Sequence, residues 1–217
     1  MSGSIRVPSI LALATLCASS AALASLGVSP QNCTVPAAIR LVGSLAGVPD
    51  ASTGRFAIVV RDLANTPRSG ASVVIDLSGC PDFTICGNQL DAEATVNCAA
   101  KTVRKFTGVD GGVTFTILGG SIGANNATTI SGAGGPFRIY ANGIPITQPT
   151  ISAYDLDGSG GLGADDLSTW LSDFATGLPY ARSDYDGNGI ISANDLSHWL
   201  EVFAAGKSVE SCSAACP

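Results

Sequence analysis

Charged and aromatic residues are scarce in this chain: they make up 13% and 6% of its 217 residues. Its 11 basic residues are outnumbered by 17 acidic ones, giving a net charge of −6, so the basic surface that nucleic-acid binding requires is missing. The only histidine is His198, which leaves one imidazole for acid–base catalysis and no Cys/His metal cluster. We therefore predict that the protein is not an enzyme and does not bind nucleic acid.

Long apolar runs are also missing beyond the N-terminus, since no other stretch reaches the roughly 20 apolar residues that span a bilayer. At the N-terminus, Arg6 precedes a mostly apolar segment at 7–18, and Ala22-Leu23-Ala24 offers small residues for cleavage. This order is typical of a secretory signal peptide, which we assign to residues 1–24. The sequence predicts a protein without a membrane anchor that is secreted, either extracellular or held at the cell surface.

Seven cysteines are present, and removing Cys17 with the signal peptide leaves six. An even number in an exported chain predicts disulfides and no free thiol. Six cysteines allow 15 connectivities. Proximity along the chain favours a C-terminal clip, a bridge within one loop and a bridge across the N-terminal domain: Cys212–Cys216, Cys80–Cys86 and Cys33–Cys98.

Two C-terminal stretches repeat each other, one starting at Asp155 and the other 29 residues later at Asp184. Each has carboxylates at positions 1, 3 and 12, a side-chain oxygen at position 5 and glycine at position 6. Calcium takes six to eight oxygen ligands, and this is the oxygen spacing of a calcium loop. We predict two Ca²⁺ ions, with position 7 contributing a backbone carbonyl. The predicted ligands are Asp155, Asp157, Ser159, Gly161 and Asp166 in the first loop, and Asp184, Asp186, Asn188, Ile190 and Asp195 in the second.

Both loops run into the same apolar pattern, which falls at i, i+3, i+4 and i+7 and predicts one helix after each loop. The pattern predicts a buried stripe in which Trp170 and Trp199 pack in the core. Gly177 and Gly206 are placed to end the two helices. The stripe residues are Leu167, Trp170, Leu171 and Phe174 in the first repeat, and Leu196, Trp199, Leu200 and Phe203 in the second.

These two loop-plus-helix repeats at the end of an exported chain resemble the dockerin family over residues 151–206. The resemblance implies a small calcium-dependent α-helical module that docks onto a cohesin-type partner, as in assemblies that degrade polysaccharides. It also implies the side-chain ligands named above. With the apolar stripes inside, the outward positions left for recognition are Ala164, Asp165 and Ser168 in the first repeat, and Ala193, Asn194 and Ser197 in the second.

Residues 33–148 read as all-β, because short runs of β-branched and aromatic residues alternate with turn residues. Asp110-Gly111 is a hairpin signal between two of these runs. Several short strands at this spacing predict a sandwich. The runs lie at 41–42, 56–61, 72–76, 102–107, 113–118 and 137–140.

The segments 60–75 and 107–115 resemble the bacterial Ig-like repeats of intimin- and invasin-type surface proteins. Pro67 and Gly70 fall in the turn between two strands of that pattern, and Asp110 and Phe115 fall in its later hairpin. The resemblance implies a spacer or adhesive module rather than a catalyst.

Together these patterns predict a fold class: an all-β Ig-like sandwich followed by a small all-α dockerin-like module with two EF-hand-type calcium loops. The predicted boundaries are a signal peptide at 1–24, the sandwich at 25–150, the repeats at 151–206 and a tail at 207–217.

The leading functional interpretation is an exported, non-catalytic calcium-binding protein whose tail docks a cohesin-like partner through residues 151–206. One alternative is a surface or matrix protein in which calcium is purely structural. The other is a polysaccharide-binding accessory of a carbohydrate-degrading assembly. The sequence leaves the oligomeric state open.

Overall fold

The computed structural model describes residues 27–123, 129–131, 137–210, 212, 215 and 216. The predicted signal peptide at 1–24 lies outside these residues. Thirteen strands are described, and most are short. They are β1 (Ala38–Leu41), β2 (Ser44–Leu45), β3 (Val48–Pro49), β4 (Arg55–Val59), β5 (Ser72–Asp76), β6 (Phe83–Ile85), β7 (Thr95–Asn97), β8 (Thr102–Phe106), β9 (Gly112–Thr116), β10 (Gly119–Ser121), β11 (Arg138–Ala141), β12 (Ile144–Thr147) and β13 (Thr150–Ala153).

The largest sheet has five antiparallel strands in the order β12-β11-β5-β8-β7. Alternate residues along its central strands are buried, such as Val73 and Ile75 on β5. This two-residue period is that of a sheet with one face turned to a core. The prediction that 72–76 forms a strand is confirmed to the residue.

Four two-stranded ladders are also present among the described residues: β4-β9, β6-β10 and β2-β3 are antiparallel, and β1-β13 is parallel. Inward residues of β1, β4, β9 and β13 share one apolar core with those of the five-stranded sheet. Examples are Ile58, Phe115 and Ile151, each 1% exposed or less. β13 therefore belongs to the β-rich core, and it leads directly into the first repeat.

The predicted hairpin at Asp110-Gly111 is wrong. A tight turn does form there, closed by a hydrogen bond from the Gly108 N–H to the Gly112 carbonyl, at 2.8 Å. However, β8 before it pairs with β5 and β7, whereas β9 after it pairs with β4. The turn therefore carries the chain from one sheet to another. The local sequence predicts the turn correctly. The pairing partners of the flanking strands, however, are determined by how the strands pack in the core.

Three α-helices are described: α1 (Ala51–Gly54), α2 (Ala164–Thr176) and α3 (Ala193–Ala204). The helices predicted after the two loops are α2 and α3, and α2 ends at Gly177 as expected, with φ at 69°. Trp170 and Trp199 are buried at 2% and 0% exposure, which confirms their prediction as core.

The prediction of a fully buried apolar stripe is wrong for the outer half of each helix. Leu171, Phe174, Leu200 and Phe203 are between 43% and 50% exposed. Each phenylalanine stacks on the outer side of the buried tryptophan four residues before it, with ring centroids 5.4 Å and 4.9 Å apart. The helices thus bury one narrow edge and leave the adjoining apolar edge exposed.

The predicted fold class is also wrong, because the described residues contain no separate all-α dockerin-like module. Strand β13 opens the first repeat, and a 3₁₀ turn at Ala181–Ser183 opens the second. The tryptophans share their core with Val42, Cys86 and Leu118 of the β-rich part. Helical periodicity identified α2 and α3 correctly but carries no information about which surface they pack against.

Within the described residues two disulfides form, Cys86–Cys212 and Cys98–Cys216. None of the three predicted pairs forms, and Cys33 and Cys80 are unpaired. Proximity in sequence misled the pairing, since the true bridges span 126 and 118 residues. Both bridges fix the C-terminal tail to the β-rich part. Disulfides of this kind indicate an oxidising compartment.

In the part of the chain that the structure describes, no helix has the length and apolar character needed to cross a membrane.

Candidate metal centre

Three aspartates of the first repeat converge on one point. Asp155, Asp157 and Asp166 each place one carboxylate oxygen within 4.8 Å of the others. Asp155 and Asp166 are buried, at 7% and 0% exposure, whereas Asp157 is half-buried. The spacing of positions 1, 3 and 12 is thereby converted into a compact group of anionic oxygens.

The helix after the first loop fixes the last of these carboxylates. Asp166 lies in the first turn of α2, where one oxygen accepts the N–H groups of Leu156 and Asp157, at 2.6 and 3.0 Å. Its other oxygen accepts the Gly163 N–H at 2.6 Å. The carboxylate caps its own helix and also holds the start of the loop, so the two ends of the loop meet at one side chain.

The second repeat has the same arrangement. Asp184, Asp186 and Asp195 bring one oxygen each within 4.8 Å. One oxygen of Asp195 accepts the Tyr185 and Asp186 N–H groups at 2.8 and 3.2 Å, and the other accepts the Ser192 N–H at 2.8 Å. The repeated sequence therefore gives a repeated geometry.

The aspartate at position 1 of each loop organises the turn that follows it. Asp184 accepts the Gly187 and Gly189 N–H groups, both at 2.9 Å, and Asp155 accepts the equivalent Gly158 and Gly160 N–H groups, at 2.9 and 3.2 Å. Gly158 and Gly187 have φ near +73° and +72°, a region that glycine occupies without strain. These glycines let the loop curl around its own first carboxylate.

The other predicted ligands lie nearer the surface. Ser159 and Asn188 are exposed, and the Asn188 amide is engaged in the loop: its nitrogen donates to Asp186 at 2.8 Å and its oxygen accepts the Ile190 N–H at 2.8 Å. Gly161 lies against the Val209 carbonyl with φ at +154°, and the Ile190 side chain is 64% exposed. The six carboxylates thus form the two converging clusters, and these residues lie outside them.

The carboxylates repel one another and lack solvation. Burial, assisted by the Asp166 charge, raises the pKa of Asp155 to about 7. Burial likewise raises the pKa of Asp166 and of Asp184 above the ordinary value. A cation among these oxygens would offset both effects, because it supplies the opposite charge that a buried carboxylate otherwise lacks.

Both loops also touch the β-rich part. The Ser121 N–H of β10 donates to the Asp155 carbonyl at 2.7 Å, and the Arg40 Nε of β1 donates to the Tyr185 carbonyl at 2.8 Å. A methyl group on Gly120 would lie 3.0 Å from the Asp155 carboxylate. These contacts could not be predicted from the sequence, because Arg40 and Gly120 lie far from the repeats in the chain.

Comparison with protein-family models, with curated proteins and with solved structures found no match. Two aspartate triads, each largely buried and each presenting three converging oxygens, could hold metal ions.

Proposed function

We propose that the protein is an exported, non-catalytic calcium-binding protein in which two Ca²⁺ ions hold the C-terminal repeats against the β-rich part. The observation that carries this proposal is the duplicated triad of converging aspartate oxygens. Oxygen-only donor sets suit hard cations, and flexible loops with several carboxylates favour Ca²⁺ over the smaller, strictly octahedral Mg²⁺.

The packing around the loops supports a structural role for the cation. Asp155 follows β13 after one residue, and Gly187 lies so close to β1 that a methyl group there would be 2.7 Å from the Ala38 side chain. Ordering either loop therefore orders an edge of the β-rich core. Export is supported by the two disulfides and by the N-terminal sequence at 1–24.

Calorimetric titration of the full mature chain after chelation tests the proposal. We expect two Ca²⁺ ions per chain, and one in each of the variants Asp157→Ala and Asp186→Ala, which leave no side-chain oxygen at position 3 of the loop. Asp165→Ala is the matched control, because Asp165 neighbours a ligand in the first loop but is exposed and outside the triad. A chain that binds no Ca²⁺, or single variants that still bind two, would refute the assignment.

A second candidate function is docking of a partner through the helices. It is favoured by the apolar edge formed by Leu171 and Phe174 on α2 and by Leu200 and Phe203 on α3, which are equivalent positions in the two repeats. The outward positions expected from the dockerin resemblance, such as Asp165 and Asn194, are exposed as well. A pocket of about 240 Å³ adjoins Phe174 at the end of α2.

Binding to purified cohesin domains, with and without chelator, tests this second candidate. The informative variant is Phe174→Ser/Phe203→Ser, and the control is Val109→Ser, which alters an apolar side chain that is 92% exposed in a turn of the β-rich part. Docking predicts calcium-dependent binding that the double variant loses and the control keeps. If no cohesin binds, or the double variant binds equally well, the purely structural role of calcium stands alone.

A further inference from the structure

A buried arginine precedes the second loop. Arg182, in the 3₁₀ turn Ala181–Ser183, is 1% exposed. Its Nε and one terminal nitrogen donate to the two carboxylate oxygens of Asp173 on α2, both at 2.7 Å. Asp173 is itself 2% exposed. This is a bidentate, charge-assisted pair, the strongest geometry available to these side chains.

The same turn is held from two further sides. The other terminal nitrogen of Arg182 donates to the Gly123 carbonyl at 2.7 Å, and the Ala181 N–H donates to the Thr129 carbonyl at 2.8 Å. On the helix side, the Ser183 hydroxyl donates to Asp173 at 2.6 Å. The Trp170 indole N–H donates to the Ser183 carbonyl at 3.2 Å. Asp184, the first carboxylate of the second site, is the next residue along the chain.

This arrangement is not part of the repeat. Twenty-nine residues before Arg182 stands Ala153, and twenty-nine residues after Asp173 stands Val202. The first loop instead follows strand β13, whose ladder with β1 fixes the backbone up to Ala153. The two sites therefore have equivalent aspartate triads and different supports. Among the described residues, only the second loop closely follows a residue of a buried side-chain ion pair.

Helix α2 joins the two sites through this pair. Asp166 in its first turn belongs to the first site, and Asp173, seven residues later, holds the turn that carries Asp184. Seven residues are two helical turns, so both carboxylates lie near the same face of the helix. A rigid helix placed by one site thus determines where the first ligand of the other site stands.

We propose that Arg182, acting through Asp173, is the positioning residue of the second cation site and couples its affinity to occupancy of the first. This inference rests on the proposed calcium function. A cation in the first loop fixes Asp166 and hence α2; Asp173 then presents Arg182, Ser183 and Asp184 in the arrangement that the second cation requires. Couplings of this kind commonly change affinity by about 5- to 150-fold.

The experiment measures that coupling in the full mature chain. Second-loop affinity for Ca²⁺ is followed by the NMR signal of the Gly189 amide, which donates to Asp184 at 2.9 Å; Gly160 reports on the first loop. Affinity is compared with the first loop intact and with Asp157→Ala, which removes the position-3 oxygen of that loop. We expect disabling the first loop to weaken the second by about 5-fold or more.

The key variant is Asp173→Leu/Arg182→Met. It replaces both partners with apolar side chains, because removing only one would strand a buried charge. We expect weaker second-loop binding and a coupling factor near one. Arg182→Lys keeps the charge and loses the bidentate fork, so it should give an intermediate factor even if the double variant folds poorly. The matched control is Asp91→Asn/Lys105→Met, an ion pair of 3.2 Å in the β-rich part that touches neither loop.

A merely structural pair would lower stability and affinity without altering the coupling factor. The inference is therefore overturned if the factor is unchanged in the double variant, if the control pair abolishes it equally, or if the wild-type factor is already one. A wild-type second loop that binds no Ca²⁺ is a different result, since it refutes the calcium function itself.

Discussion

Tyr154 and Tyr185 stack face to face, with ring centroids 4.9 Å apart and ring planes 11° from parallel. Tyr154 directly precedes the first carboxylate of one loop, and Tyr185 directly follows the first carboxylate of the other. Both are buried, and the Tyr185 hydroxyl donates to the Ala153 carbonyl at 3.1 Å. Burial raises the pKa of Tyr154 to about 12 and that of Tyr185 well above its ordinary value, so both rings stay neutral at physiological pH.

Tyr185→Phe should destabilise the fold by about 1 kcal/mol, the usual net value of a lost hydrogen bond, because the stack remains and only the donor to Ala153 is removed. Urea unfolding with Ca²⁺ present measures the difference. Tyr140→Phe, which changes a half-buried tyrosine of β11, should shift stability by less than about 0.5 kcal/mol. Equal effects of the two variants would show that the hydroxyl contact contributes nothing.

Gly120→Ala should weaken Ca²⁺ binding in the first loop by roughly tenfold, since the added methyl group would lie 3.0 Å from the Asp155 carboxylate and overpacking costs about 1–3 kcal/mol. The second loop should lose less. Gly27→Ala is the control, because nothing lies within 4 Å of a methyl group there. Titration followed at Gly160 and Gly189 separates the loops, and an unaffected first loop would contradict the prediction.

The stability of the calcium-free protein should fall as pH rises from about 4 to about 8. The pKa of Asp155 is about 7 in the fold, against 3.8 when unperturbed, so the folded state binds this proton more tightly than the unfolded chain does. Its contribution is fully present below pH 3.8 and is lost as pH rises through 7. Thermal unfolding across this range, in chelator, measures the trend.

Saturating Ca²⁺ should remove or reverse that pH trend, because a bound cation keeps the carboxylates ionised in the folded state. Asp155→Asn in chelator should flatten it as well. A calcium-free protein that becomes more stable between pH 4 and pH 8 would contradict the prediction.

Cys80 should resist alkylation in the folded protein at pH 8. Burial, followed by the nearby Asp82 charge, raises its pKa to about 12, and its side chain is fully buried. The thiolate is the reactive form, so almost none is available. Peptide mass spectrometry should find Cys80 labelled only once the chain is denatured without reductant, whereas Cys33, which is half-buried, should react sooner than Cys80 in the folded protein. Failure of both to label after denaturation would mean that they form a bridge.

Cys86→Ala/Cys212→Ala should lower the free energy of unfolding by about 2–5 kcal/mol, the usual cost of removing a native disulfide. The bridge closes a loop of 126 residues, so its loss frees a long segment of the unfolded chain. Denaturant unfolding with Ca²⁺ present measures the change. Removing the Cys98–Cys216 bridge should lower the free energy of unfolding by a similar amount. The expectation would be contradicted if the free energy of unfolding stayed unchanged in either variant.

The sequence was most informative where chemistry repeats. Asp155, Asp157 and Asp166, with their counterparts 29 residues on, could be grouped from their spacing alone. All three lie within twelve consecutive residues, so their convergence does not depend on contacts between distant parts of the chain. The strand at Ser72–Asp76 and the burial of Trp170 and Trp199 were also predictable, since the strand follows from a two-residue period and the tryptophans from the i, i+3, i+4 and i+7 pattern of a helix.

The sequence could not predict which residues pair when they lie far apart in the chain. Nothing near Cys86 favours a partner 126 residues away, and nothing near Asp110 reveals that β8 and β9 belong to different sheets. The prediction of a separate helical module was wrong for the same reason. A helix period shows that one face is buried, but the surface that buries it, here lined by Val42 and Leu118, is set by the tertiary fold.

The Cys86–Cys212 bridge makes most of the described chain a closed ring that begins in the β-rich part and contains both cation loops. A protease that cuts once between these two cysteines would leave both products attached to each other. The repeats cannot be shed by a single cleavage, unlike a domain carried at the end of an open linker. In an environment rich in proteases, the chain would lose its C-terminal sites only after a second cut or after reduction.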